Sequence, residues 1–505
     1  MVAGSLHPPH QWSAVTRICR SVNGLVILFI ACWFFLAPAV LTISNLADPA
    51  FRGKEIPRLA WRTHRRLTPR YAAWARERVA SSVAGKLSLY DVPSTEWPIF
   101  GSVFYLWATE QLQDAWEKDR SLAPVAPAEY ARDAAEACVE LVLDPVHHTW
   151  VRQHWGTNYM HRQNVFFRSL VISALTSYQK LTGNTQHREL LLDQVDSLSA
   201  ELDASPHGVL EDYPEECYPI DVFCSVACIQ RADRVLGTDH GTFIRRSIRG
   251  FDGNMLDACG LWPYSVEAQT GVQYEPSRGV GNSYVLIFAP ELWPDRAAQW
   301  YDRYEQHFWQ RKWWAAGFRE FPRGWPDAEW TYDVDAGPVI AGYSPAANAF
   351  GVAASKVNGR LDHHFTLVSQ VLAACWPLPD GTFLGCRILS NAAHAPHLGE
   401  ACMLFFLTQR PAEGTQIRTG GFIPAFAWLV ILFWIAVGVL LPVITVRTWL
   451  ASRRDRTSAA VPIPAVQCTI WAAIMVVAVG LAIGQLTAYA FLALLVAQFL
   501  PRNRL

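Results

Sequence analysis

The chain has 505 residues, 51% of them hydrophobic and only 17% charged, with 43 Lys plus Arg against 44 Asp plus Glu. Soluble domains carry about a quarter charged residues, so this deficit points to membrane segments. The near-neutral balance excludes a nucleic-acid partner held by bulk basic charge, and 25 Phe, 22 Trp and 16 Tyr exclude a disordered chain.

The first expected element is a charge-free apolar run over about 25–46, long enough to span a bilayer and read as an uncleaved anchor. Arg52, Lys54, Arg58, Arg62, Arg65, Arg66 and Arg70 follow it directly. From residue 71 to 415 the chain reads as helix after helix. Residues 102–116 and 165–181 carry apolar side chains at helical spacing, and Gly-, Asn- and Asp-containing breaks separate the helices. No sustained alternating strand pattern occurs. The expected fold is all-α, an (α/α)6 barrel or six-hairpin toroid flanked by transmembrane helices; a compact helical bundle gives the same periodicities.

Residues 422–446 form a second apolar run and 461–500 a third, whose length suits two short spans. The domain expectation is therefore an N-terminal segment 1–50, a catalytic domain 51–418, and a C-terminal region 419–505 with two or three spans. Arg447, Arg453, Arg454 and Arg456 lie between the runs, with Arg502 and Arg504 in the tail and Arg17 and Arg20 near the start. The positive-inside rule places all of these in the cytoplasm and the domain outside it, although the basic run after the first span pulls the other way.

Four groups of residues could carry chemistry. Glu211, Asp212, Glu215, Glu216 and Asp221 put five carboxylates in eleven residues, with Tyr213 and Tyr218 among them, just before an apolar helix. Crowded charge where a loop meets a buried helix can split pKa values into one acid and one base; the alternative is a solvated loop with Asp221 as helix cap. Asp327, Glu329, Trp330, Asp333 and Asp335 form a second acidic and aromatic segment, whose alternate residues Asp333 and Asp335 share a face of an extended chain. Trp155, Tyr159 and His161 form a third group, with His161 as an acid/base candidate titrating near neutrality. Glu96 and the pair Glu275 and Arg278 complete the candidates. No metal site is expected: His147-His148 and His363-His364 are adjacent pairs, and the His394, His397, Glu400 spacing lacks the HExxH arrangement. No cofactor motif is present, and Cys217, Cys224 and Cys228 read as packing thiols.

Several segments resemble the bacterial linalool dehydratase/isomerase family. They are Asn164–Leu170 running on to Gly183, Asp212 to Arg234-Val-Leu-Gly-Thr-Asp239, Trp262–Gly271, and Ser344–Asn358. The resemblance covers roughly residues 100–405 in preserved order and implies a six-hairpin (α/α) barrel with its active site in the cavity. The family's two cysteines, nine residues apart, fall on Asp212 and Asp221 when counted back from the Gly-Thr-Asp turn, or on Glu211 with a one-residue shift. Its histidine falls on Leu170, so thiol chemistry does not carry over.

The expected activity is that of a membrane-anchored lyase/isomerase acting on an apolar substrate, with isoprenoid alcohols and alkenes as candidates. Asp212, Asp221, His161 and Asp333 would be catalytic. Trp155, Tyr159, Glu211, Tyr213, Glu216, Tyr218, Trp330 and Asp335 would bind substrate. The alternatives are a glycan-active hydrolase or lyase and a non-catalytic lipid- or glycan-binding membrane protein. The expected partners are the substrate and the bilayer, with a homo-oligomer left open and nucleic acid excluded.

Overall fold

The computed structural model describes residues 21–88, 91–326, 328–389 and 394–454, with short helical stretches between 470 and 494. The chain is mostly helical and divides into two compact units. The larger unit comprises residues 45–374 and 389–427; the smaller gathers the apolar terminal segments with residues 375–388.

The principal helices of the larger unit are α1 (Arg58–Ser81), α2 (Trp97–Lys118), α3 (Arg132–Leu143), α4 (Val165–Thr182), α5 (Arg188–Ala204) and α6 (Pro219–Leu236). They continue with α7 (Gly279–Leu292), α8 (Pro294–Phe308), α9 (Pro345–Val357), α10 (Leu361–Cys375) and α11 (Leu398–Thr408). Helix α2 packs on α4, α4 on α6, α6 on α7, α7 on α9 and α9 on α11, and α11 packs back on α2. Four further helices lie against this series: α1 on α3 and α11, α3 on α2 and α4, α5 on α4 and α6, and α8 on α7.

Sequence explains which helices go where. Every residue of α7 except Glu291 is buried, as expected of a helix apolar on all sides. In α8 only Ala297, Trp300, Tyr301, Tyr304 and Phe308 are buried, a single stripe at helical spacing. Local signals set the ends. Pro219 opens α6 at a position that needs no N–H donor, and Gly237, with φ of 72°, closes it in the left-handed conformation. Gly183 (φ 70°) ends α4 in the same way.

Short strands accompany the helices, among the described residues, without changing the mostly helical class. The larger unit carries three antiparallel hairpins: β1 (Ser265–Val266) with β2 (Gln273–Glu275), β3 (Trp309–Arg311) with β4 (Ala316–Phe318), and β5 (Trp330–Asp333) with β6 (Gly337–Ile340). Strands of two to four residues are too short to show the alternation by which a strand is read from sequence.

Ser21–Leu46 and Ala425–Arg447, most of whose residues belong to the smaller unit, are each long and apolar enough to cross a membrane. Residues 375–388 group with these helices rather than with the domain expected over 51–418. Trp376 accounts for this: its indole N–H donates to the Phe34 carbonyl at 2.6 Å, and its ring meets those of Phe35 and Trp434. Most of the expected third apolar run, together with Arg17, Arg20, Asp327, Arg456, Arg502 and Arg504, lies outside the described residues.

Candidate active site

The acidic loop before α6 folds back on the start of α4 because Asp212 binds both. One Asp212 oxygen accepts the Phe166 N–H at 2.8 Å and the other accepts the Tyr218 N–H at 3.0 Å. Its own N–H donates to the Glu216 carbonyl at 2.8 Å, and the Trp155 indole donates to its carbonyl at 3.2 Å. The residue is 1% exposed. Burial pushes its carboxyl up to about 8, with the Glu216 and Glu96 charges adding and the two backbone donors opposing.

Asp221 sits in the first turn of α6 and keeps part of its surface. Burial, then the charges of Asp212 and Asp335, raise its carboxyl well above the ordinary range. Among the described residues it has no hydrogen-bond donor. Glu96, at the N-terminal end of α2, accepts the Tyr213 hydroxyl and is pushed up to about 8 by burial, with Asp335, Asp221 and Glu216 contributing. Asp335 keeps an exposed surface, but the carboxyl that accepts the Tyr264 hydroxyl is partly enclosed and is raised for that reason. Glu96, Asp212, Asp221 and Asp335 therefore form one group of carboxyls, each biased toward holding its proton.

A cation borders this group. Arg278, 4% exposed, donates from Nε to Glu320 at 2.8 Å, meets Asp333 at 2.9 Å and lies 4.1 Å over the Tyr264 ring. Burial alone would raise Asp333, but the hydrogen bond and charge of Arg278 outweigh it and hold that carboxyl below its usual range. Glu320 is fully buried, and burial lifts it to about 7 in spite of the same arginine.

Aromatic side chains make the apolar border. Phe100 meets Phe166 at 5.8 Å and Tyr284 at 6.5 Å, Tyr284 meets Phe350 at 5.2 Å, and Phe350 meets Phe406 at 5.0 Å. The Tyr284 hydroxyl lies 3.1 Å from the Cys224 sulfur, and both groups feel the Asp221 charge. Burial pushes the thiols of Cys217 and Cys224 up, away from the thiolate form.

The expected site residues divide accordingly. Asp212, Tyr213, Tyr218, Asp221, Asp333 and Asp335 come together, Tyr218 through its ring contact with Tyr264 at 5.4 Å. Trp155 joins only as a backbone anchor. Glu216 is exposed and accepts the Tyr218 hydroxyl at 2.8 Å, while the Glu211 backbone N–H is tied to Gln163. Three residues lie elsewhere. His161 is exposed and paired with Asp193 at 2.8 Å, Tyr159 is bonded to His148 at 2.9 Å, and Trp330 points outward, 71% exposed. His161 is drawn away because α5 presents Asp193 to it. Glu96 and Arg278, minor candidates in the sequence, are members of the cluster; Tyr264 is marked only as part of the Trp262–Gly271 stretch, and Tyr284 and Glu320 carry no sequence signal.

Among the described residues no group of three or more His, Cys, Asp or Glu is placed to hold a metal ion. No protein-family model matches the chain, and no curated protein matches it in sequence.

Proposed function

We propose that the larger unit is an (α/α)6 barrel, and that the chain is a membrane-anchored, multi-pass enzyme of the lyase/isomerase type acting on an apolar alcohol or alkene. The cyclic packing order of α2, α4, α6, α7, α9 and α11 supports the barrel. The observation that carries the function is the convergence of Asp212 and Asp221 with Glu96 and Asp335, beside Phe100, Phe166, Tyr284 and Phe350. Asp212 and Asp221 are the two positions on which the linalool dehydratase/isomerase resemblance sets its active residues.

Four neighbouring carboxyls, two of them buried, cannot all ionise together, so the group shares protons. Asp212, with backbone N–H donors on both oxygens, is the better carrier of negative charge. Asp221, with none, is the better holder of a proton. In a dehydration, Asp221 protonates the substrate hydroxyl, the C–O bond breaks and water leaves. The neighbouring C–H bonding pair becomes the new double bond, and its proton passes to the Asp212 carboxylate. The aromatic rings tolerate the cationic character that develops on carbon.

Glycan chemistry, the other enzymatic reading, would favour exposed Trp platforms beside the acids. Tyr213 and Tyr264 bond directly to the acids, while the row of Phe166, Phe100, Tyr284 and Phe350 supplies apolar surface beside them, and that row supports the apolar substrate. The test is conversion of a panel of isoprenoid alcohols and alkenes by the full chain in lipid nanodiscs, read by gas chromatography. Loss of product in both Asp221→Asn and Asp212→Asn, with Asp193→Asn as control, is expected. Undiminished turnover in either Asp variant would remove this mechanism.

A further inference from the structure

The β5–β6 hairpin is amphipathic in an unusual sense. Its register pairs Trp330 with Ile340 and Tyr332 with Pro338, so these four share one face. Val339 and Asp333 lie on the other, where Val339 is buried and Asp333 meets Arg278. The outward face is the apolar one: Trp330 is 71%, Tyr332 75% and Ile340 45% exposed. A hairpin facing water would carry polar residues there.

A second exposed aromatic adjoins it. Trp313, at the tip of the β3–β4 hairpin, is 83% exposed. Its neighbour Lys312 donates to Glu329 and to the Ala341 carbonyl, both at 2.8 Å, which ties the tip to the residues next to Trp330 and Ile340. On its other side, the Trp314 carbonyl accepts the N–H of Phe426 at 2.8 Å. Phe426 is the second residue of the apolar helix Ala425–Arg454. Arg311, at the end of β3, lies 4.1 Å over the Phe422 ring. The exposed aromatics are thus fixed to the point where the chain turns into its membrane-crossing helix.

We propose that Trp313, Trp330, Tyr332 and Ile340 form a docking rim that seats on the bilayer entered by the helix starting at Ala425. Trp and Tyr favour that interfacial level because their rings are amphipathic. The connection fixes the occupant: a surface hydrogen-bonded to the first turn of a membrane helix meets lipid headgroups before it meets another protein. Lys312 is paired with Glu329, so the contact is aromatic rather than electrostatic, and uncharged phosphatidylcholine suffices. The docking does not depend on the reaction proposed above.

The test uses the full chain in phosphatidylcholine nanodiscs. Trp313→Cys, Trp330→Cys and, as an exposed control on α5, Glu189→Cys are each labelled with an environment-sensitive fluorophore, and wild-type background labelling is subtracted. Brominated acyl chains should quench the labels at 313 and 330 by about twofold and leave the label at 189 unchanged. These are two independent exposed positions, so failure of one variant to fold leaves the other decisive. Equal, weak quenching at all three positions, with the labels at 313 and 330 open to aqueous iodide, overturns the rim. Protection from iodide that appears only as protein concentration rises overturns it too, in favour of a second copy of the chain.

Discussion

The Tyr213 hydroxyl donates a hydrogen bond to the Glu96 carboxylate, joining residues 117 positions apart in the chain. It ties the acidic loop to the start of α2 and, by favouring the ionised form, offsets part of the burial that raises Glu96. Tyr213→Phe should therefore cost about 1.5–3 kcal/mol of stability above pH 8, where Glu96 is ionised, the range for a hydrogen bond to a charged group, and less below it. Glu96 should titrate higher still. Denaturant unfolding of the variant and the alkaline shift of its pH–activity profile measure the two effects.

Stability should depend on pH in a direction set by the raised carboxyls. Glu96 and Asp212 sit near 8 in the folded chain and near 4 when unfolded, so over that interval the folded state holds protons that the unfolded state releases. Their contribution is intact below about pH 4 and is lost as pH rises through 8. Asp221→Asn removes a third raised carboxyl that has no hydrogen-bond donor, so it should raise the melting temperature at pH 8 and change it little at pH 4. A variant less stable than wild type at pH 8 would contradict this.

Arg278 is buried between Glu320 and Asp333, and its removal strands buried charge. Arg278→Leu should cost about 3–5 kcal/mol, as for other broken buried ion pairs. Arg278→Leu combined with Glu320→Leu should recover part of that loss. Equilibrium unfolding of the single and double variants gives the coupling.

At Gly279, the first residue of α7, an added Cβ would lie 1.9 Å from the Arg319 carbonyl oxygen, and the Gly279 N–H already bonds to the Glu320 carbonyl. The clash is with backbone, so relief requires α7 to move. Gly279→Ala should cost at least about 1–3 kcal/mol, the usual range for overpacking. Thermal unfolding indistinguishable from wild type would show that the helix start can shift freely.

For activity, Asp221→Asn should reduce turnover by about 10²–10⁴-fold, the general acid/base range. Cys217→Ser and Cys224→Ser should change it far less, because burial holds both thiols protonated. Inactivation by a thiol reagent in a chain whose Asp221→Asn variant remains active would reverse these assignments.

The sequence shows the local half of this architecture. Apolar spacing marks α2 and α4, Gly183 and Gly237 mark helix ends, and the closeness of Asp212 to Asp221 is written in nine residues of chain. What it hides is long-range. Glu96 reaches the site only because α2 packs on α4, and Tyr264 because β1 pairs back near Cys217. His161 is misleading for the same reason: its partner Asp193 lies 32 residues away on α5. Trp330 shows the limit of reading composition, since the aromatic-acidic segment turns Asp333 toward Arg278 while Trp330 and Tyr332 stay exposed.

The two aspartates carry unequal structural duties, and this governs how the chain can change. Asp212 fastens the start of α4 to the loop before α6, so nearly any replacement there unclips two helices at once. Asp221 fastens nothing among the described residues. New chemistry on this scaffold would therefore arise by substitution at 221, with 212 held fixed by folding. A saturation library should recover many folded variants at position 221 and few at 212.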